Sequence, residues 1–314
     1  MEALSGETEG LRVQLSQLLK EVMGSRVELV GYEICKQRHD YLVLCVRLQR
    51  PSVEAVVKLA GPEAPIACPF ERAAALHRLV RARTSIPMPE VIGVDVSYQK
   101  WPWRYLIKEH VTGDEWVNVR HQMDGEQLVS AYRQLGSAVA ELHTIRFPAF
   151  GDLDAEGQVR GGQTYLAALR ERATHFIAGA RLRDYFFSVL DQFAPLFDGV
   201  DNATLSHEDL HGYNILFENR RGRWYLTTIL DFDKAWAGYR ETDLARLDLW
   251  RGMTNEDFWR AYEEIQPIEP LYVQRRPIYQ LFWCLEYAQP TTEHLADTQR
   301  VCQELGVPAI ERFE

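Results

Sequence analysis

Leu205-Ser206-His207-Glu208-Asp209-Leu210-His211-Gly212-Tyr213-Asn214-Ile215-Leu216, followed by Ile229-Leu230-Asp231-Phe232-Asp233, carries most of what this sequence says about its fold. Two carboxylates and a carboxamide sit on two short segments bordered by apolar residues. Asp209 and Asn214 are five positions apart, and Asp231 lies 22 beyond Asp209. The apolar runs 214–217 and 224–230 predict a hairpin whose ends bring the three side chains together. Such a set suits phosphoryl transfer from ATP. One carboxylate orients and deprotonates the accepting hydroxyl, while hard oxygen donors hold the magnesium that neutralises the phosphates.

The same stretch admits a rival reading. His207-Glu208-Asp209-Leu210-His211 spells H-E-x-x-H, a zinc-protease signature that works only on a helix. The turn-formers between Pro195 and Asn202, and Gly212 directly after His211, argue against a helix here. No further histidine follows until His294, although Asp231 is available as a third ligand. A polar turn between strands is the bland alternative. It accounts for either segment alone, but not for both together with a lysine and a glutamate upstream.

That lysine is Lys58, alone in the otherwise apolar strand Ala55-Val56-Val57-Lys58-Leu59-Ala60. A buried lysine needs a partner, because desolvating its charge alone costs several kcal/mol. Glu71, at the start of the next helix, is the natural one. Taken alone, Lys58 equally suits an edge strand from which it reaches solvent.

At these positions the chain resembles the aminoglycoside phosphotransferase family of kinase-like enzymes. Their catalytic loop reads His-Gly-Asp-x-x-x-x-Asn, and their metal segment reads Ile-Asp-aromatic-acid. The resemblance runs in order through strand lysine, helix glutamate, hinge, catalytic loop and metal aspartate, and Leu142-His143 before Phe150-Gly151-Asp152 also fits it. It implies an ATP- and Mg²⁺-dependent small-molecule kinase, with Asp209 as catalytic base and Asn214 and Asp231 as metal ligands. Lys58, steadied by Glu71, would grip the phosphates. Tyr105–Gly113 looks like the hinge, where the Glu109 carbonyl and the Val111 amide would meet the adenine edge. His207 and Asp243 would support the catalytic loop, Asp243 as a helix cap.

Three departures stand out. The first hairpin, Gln37-Arg38-His39-Asp40, has no glycine to lie over the phosphates. Glu208 stands where the family usually has glycine and regulated protein kinases have arginine, so it cannot receive a phosphorylated activation loop. Only 12 positions separate Asp231 from Asp243 and no Ala-Pro-Glu follows, which leaves little room for a protein substrate.

Periodicity predicts an α+β, two-lobed, protein-kinase-like fold. A helix over 7–23, strands at 27–34, 40–48, 53–60, 91–96 and 103–107, and one inserted helix from Pro69 to Arg83 form the small lobe, residues 1–108. The larger, mostly helical lobe, 109–314, begins with a helix from Glu126 carrying Leu128, Ala131, Leu135, Val139 and Leu142 on one stripe. Helices near 164–179 and 182–197 follow, then the two motif segments and a helical tail rich in aromatics.

The chain has 314 residues and a net charge of −10. Through Lys108 it carries 15 Lys+Arg against 12 Asp+Glu, and beyond it 20 against 33. A mildly basic first part suits a polyphosphate; an acidic remainder suits a cationic acceptor and repels nucleic acid. No apolar run of about 18 residues exists to span a membrane, and the N-terminus lacks a secretory signal. Cys35, Cys45, Cys68, Cys284 and Cys302 read as reduced thiols, so a cytoplasmic location is expected. No protein partner is evident. The expected acceptor is an aminoglycoside-type or other cationic amino-sugar, with antibiotic resistance as the implied role. Choline, homoserine, methylthioribose, fructosamine and macrolides remain open as acceptors, as does a non-catalytic nucleotide-binding module.

Overall fold

Leu42, Leu44, Val46 and Leu48 alternate with more exposed neighbours, the period-two pattern of a strand with one buried face. The computed structural model describes residues 8–64, 69–160, 162–289 and 291–313. Contacts divide the chain into two units. One is Met1–Gly113 with Asp154–Gly157 and Thr227–Asp233; the other is Asp114–Leu153, Gln158–Leu226 and Lys234–Glu314. The whole is a mixed α/β protein with an antiparallel sheet in its N-terminal part and helices dominating its C-terminal part.

In the first unit, helix α1 (Thr8–Met23) precedes strands β1 (Glu28–Arg38), β2 (Tyr41–Gln49) and β3 (Val53–Ala60). Helix α2 (Phe70–Arg83) then leads to β4 (Val91–Asp95) and β5 (Arg104–Glu109). The five strands pair antiparallel in the order β1-β2-β3-β5-β4. Leu15, Leu18 and Leu19 of α1 pack on one face against Leu44, Val57 and Ile107. Burial of such side chains contributes about 1.5–3 kcal/mol each. The other face meets α2 through Ala60 and Leu106 against Phe70, Ala73 and Ala74. Lys58 lies opposite Leu106, and Lys108 opposite Val56, so both lysines belong to this second face.

In the second unit, β6 (Asp114–Glu115) and the short α3 (Trp116–Val119) come first. Helix α4 (Gly125–Leu142) starts at a capping box in which Asp124 and Gln127 bond each other's backbone amides. Helices α5 (Tyr165–Phe176) and α6 (Ala180–Gln192) follow, then β7 (Thr204–Ser206) and the hairpin β8 (Ile215–Arg220) and β9 (Arg223–Ile229). Strand β10 (Trp236–Gly238) returns to pair with β7, so residues 207–235 leave from and come back to one two-stranded ladder. The tail is α7 (Glu241–Leu249), α8 (Glu256–Glu263), α9 (Tyr272–Tyr287) and α10 (Thr292–Leu305). A buried bidentate pair, Arg275 on Glu241 at 2.6 and 2.7 Å, ties α9 to α7.

The expected helix over 7–23 is observed from Thr8, Glu7 lying outside the described residues, and the five small-lobe strands are present. One expectation fails. Cys35 and Cys45 are joined in a disulfide, with Cα atoms 6.4 Å apart. The β1–β2 ladder slips at Cys35, between the pairs Ile34–Leu44 and Lys36–Val43, and this bulge brings the two thiols across the hairpin. Cys284 and Cys302 are buried free thiols, and Cys68 lies outside the described residues. Among the described residues no helix is long and apolar enough to cross a membrane.

Helices α4 and α8 meet where Gly136 has no side chain. A Cβ there would sit 2.3 Å from the Phe258 carbonyl oxygen, an atom that cannot rotate away. Gly136→Ala gains up to about 1 kcal/mol of helix propensity. Overpacking should cost about 1–3 kcal/mol, so a net loss is expected in chemical denaturation. A stabilised variant would show that α8 yields freely.

Candidate active site

Asp209 lies in the irregular segment after β7, and its carboxylate is 24% exposed. Asn214, just before β8, donates from Nδ2 to the Asp209 carbonyl at 2.9 Å, which closes the loop and leaves its Oδ1 to accept. His207 takes the Asp209 amide on Nδ1 at 3.2 Å. The loop is therefore a small hydrogen-bonded ring rather than an open turn.

Asp243 anchors that ring. Its buried carboxylate accepts the His207 and Glu208 amides, each at 2.7 Å, and meets His143 Nε2 at 3.1 Å. His143 Nδ1 in turn meets the Tyr262 hydroxyl at 2.8 Å. Asp243 is the third residue of α7, whose N-cap is Arg240, so it does not cap its own helix as expected; its oxygens go to the loop instead. Burial pushes the His143 ring below its ordinary range, despite the neighbouring carboxylate. Burial alone would raise Asp243, but the His143 ring and the His207 amide outweigh it and hold the carboxyl low.

Glu208 is buried with φ +64°, the left-handed region that a glycine enters without cost. The glutamate is kept by two buried donors, the Trp236 indole at 2.9 Å and the Thr242 hydroxyl. With Glu208 engaged and residues 207–214 outside any helix, His207 and His211 do not form the helical pair that zinc chemistry requires. Among the described residues, no cluster of three or more His, Cys, Asp or Glu side chains is arranged to hold a metal.

Two cations approach Asp209 that sequence reasoning missed. Lys234 Nζ stands 3.6 Å and Arg246 Nη1 3.5 Å from its Oδ1. His211 Nε2 is 3.9 Å from Oδ2, and the His211 ring lies 6.2 Å from that of Trp250.

The first unit carries the other expected residues. Lys58 is in β3, and Glu71 is in the first turn of α2 with its Oε2 buried and without a hydrogen-bond partner among the described residues. Glu109 ends β5, and Val111 follows it. Asp231 has φ +65°, and the Asp233 carbonyl is held by Arg72 of α2 at 2.9 Å. Lys108 was also missed. Burial, then the charge of Lys58, pushes its ammonium down to about 8, while Asp231 and Asp233 oppose the shift. Burial likewise raises Tyr41, which feels Lys58, Asp233 and Asp231. Lys58, Lys108, Asp231 and Asp233 thus share one electrostatic neighbourhood on the α2 face of the sheet.

A model of the phosphotransferase enzyme family matches residues 40–278, and the chain belongs to that family. Solved structures share the fold. A candidate fructosamine-3-kinase from Thermobifida fusca is 20% identical, with 93% of this chain and 98% of that one covered and a TM-score of 0.65. A candidate aminoglycoside phosphotransferase from Ralstonia eutropha is 17% identical over 98% and 92%, with a TM-score of 0.64. Aminoglycoside phosphotransferase APH(4)-Ia, in ternary complex with AMP-PNP and hygromycin B, is 15% identical over 93% and 97%, with a TM-score of 0.62.

The lowered His143 has a consequence for stability. The unfolded ring takes up its proton near 6.5, and the folded one only at lower pH, so folding is favoured above 6.5 and weakened as pH falls through it. The melting temperature should drop between pH 7.5 and 5.5, and less steeply in His143→Gln. Equal slopes for the two proteins would place the titration elsewhere.

Proposed function

We propose that this protein transfers the γ-phosphoryl group of ATP, with Mg²⁺, to a hydroxyl of a small cationic acceptor, most simply an aminoglycoside-type amino-sugar. Residues 1–108 supply the nucleotide side and 109–314 the acceptor side. The observation that carries this reading is Asp209, a partly exposed carboxylate whose loop is fixed by Asn214, His207 and Asp243. Such rigidity is what phosphoryl transfer demands, since its catalysis is mostly positioning and charge neutralisation.

Asp209 orients the acceptor hydroxyl and takes its proton late in the transfer. Lys58, steadied by Glu71, holds the phosphates; the buried Glu71 Oε2, without a hydrogen-bond partner among the described residues, supports a cation as its neighbour. The Glu109 carbonyl and Val111 amide hold the adenine edge. Asn214 Oδ1, in the second unit, and Asp231, in the first, are each hard oxygen donors of the type magnesium prefers. When bound, magnesium would neutralise charge on the phosphate oxygens.

The acceptor class is supported by a cavity of about 270 Å³ in the second unit. Trp250, Trp283, Tyr287 and His294 wall it, and its two carboxylates, Glu293 and Asp297, outnumber its one cation, Arg251. Trp250 and Tyr287 are 38% and 50% exposed, unlike the core aromatics Trp236, Phe258 and Tyr262. Ring faces beside carboxylates favour a protonated amine.

The test is turnover of MgATP with kanamycin, choline, a fructosamine, homoserine, methylthioribose and a macrolide. Asp209→Asn should lower turnover of the best acceptor by about 100- to 1,000-fold while leaving ATP affinity unchanged. Near-normal turnover would remove Asp209 from the role. Raising salt from about 0.1 M to 1 M should raise the acceptor KM of a cation through screening. A best acceptor without positive charge would sink the cationic reading and leave the kinase one standing.

A further inference from the structure

Asp209 and Glu286 share two cations. Lys234 Nζ lies 2.9 Å from Glu286 Oε1, and Arg246 Nη2 lies 3.1 Å from Glu286 Oε2. Both contacts are shorter than the 3.6 and 3.5 Å that the same two residues keep from Asp209 Oδ1. The Glu286 and Arg246 side chains are only 6% and 3% exposed. Arg172 fixes the Lys234 backbone by donating to its carbonyl at 2.7 Å. Burial alone would raise the Glu286 carboxyl, yet Arg246, Lys234 and Arg172 overcome this and hold it below the usual carboxylate range. The four side chains therefore form a neutral ring, closed tightly on Glu286 and loosely on Asp209.

That asymmetry is chemically useful. A buried arginine released from its carboxylate seeks another, and charge-assisted contacts close to about 2.8 Å when nothing competes. Among the described residues, the other carboxylate that both cations approach is Asp209. We propose that Glu286 is a positioning residue for phosphoryl transfer: it draws Lys234 and Arg246 away from Asp209, so that Oδ1 is held at a distance and Oδ2 is left for the acceptor hydroxyl. This rests on Asp209 being the base. Glu286 lies 77 positions from Asp209, on the turn of α9 that also carries Trp283 and Tyr287 of the aromatic cavity. One helix turn thereby serves both the acceptor cavity and the carboxylate that acts on it.

Glu286→Gln keeps the size and removes the charge. With MgATP and the fastest acceptor of the panel above, kcat should fall about tenfold to 100-fold, the scale of a misplaced group, with the ATP KM within about twofold of wild type. Glu286→Asp, which keeps the charge on a shorter arm, should recover part of the loss and provides a second variant if the first folds poorly. In an Asp209→Asn background Glu286→Gln should add nothing, because its effect passes through Asp209. The same fractional loss in both backgrounds would reveal a merely structural role and overturn the proposal. So would unchanged kcat in folded Glu286→Gln or Glu286→Asp while wild type is active. A wild type that phosphorylates no hydroxyl overturns the kinase reading and this proposal together, which separates the two failures.

Discussion

The Asp243 carboxylate is the interaction on which the second unit's chemistry depends. It is fully buried, and it accepts two consecutive backbone amides, those of His207 and Glu208, together with a contact from His143. A buried carboxylate with fewer partners would be costly, and loop amides without an acceptor would be costly too. Each deficit resolves the other. Through His143 the constraint extends to the end of α4 and, by Tyr262, to α8. Asp209 thus inherits its position from α4 and α8, neither of which carries it.

Around that anchor the loop accepts unusual backbone geometry. Glu208 adopts a left-handed conformation, and in the first unit Asp231 does as well. Left-handed conformations cost an L-residue roughly 1–2 kcal/mol, and they persist only where surrounding contacts over-determine them. For Glu208 those contacts are the indole of Trp236 and the hydroxyl of Thr242. The conformation turns the chain sharply between β7 and Asp209, which is how a three-residue strand delivers a side chain to the surface.

Local patterns carried much of this architecture. Alternation located the small-lobe strands, and Lys58 was singled out as the one charge in the apolar run 55–60, where one face of the strand is buried and the face of Val56 and Lys58 is half-buried. Asp209, Asn214 and Asp231 stood out as candidates because phosphoryl transfer calls for those donor types, and the sequence sets them on two short segments bordered by apolar residues. The residues that tune the site did not. Lys234, Arg246 and Glu286 are spread over three elements and read individually as ordinary surface charges; only the packing of α7 against α9 makes them one ring. Lys108 looked like the end of a hinge strand, and its burial follows from lying opposite Val56 on the sheet's α2 face. The disulfide was hidden for a similar reason, since a bulge is set by hairpin register rather than by cysteine spacing.

The setting of Glu208 bears on how such a loop changes over generations. Replacing it by glycine would relax the backbone in one step, yet would strand the Trp236 indole in a dry interior, while the Thr242 hydroxyl would fall back on the Tyr239 carbonyl at 2.9 Å. Replacing either donor first would leave a buried carboxylate short of partners. No single substitution at the three positions is free, so they are expected to drift as a set or not at all. The glutamate is then a historical commitment, held by its neighbours after the backbone alone would have favoured its loss.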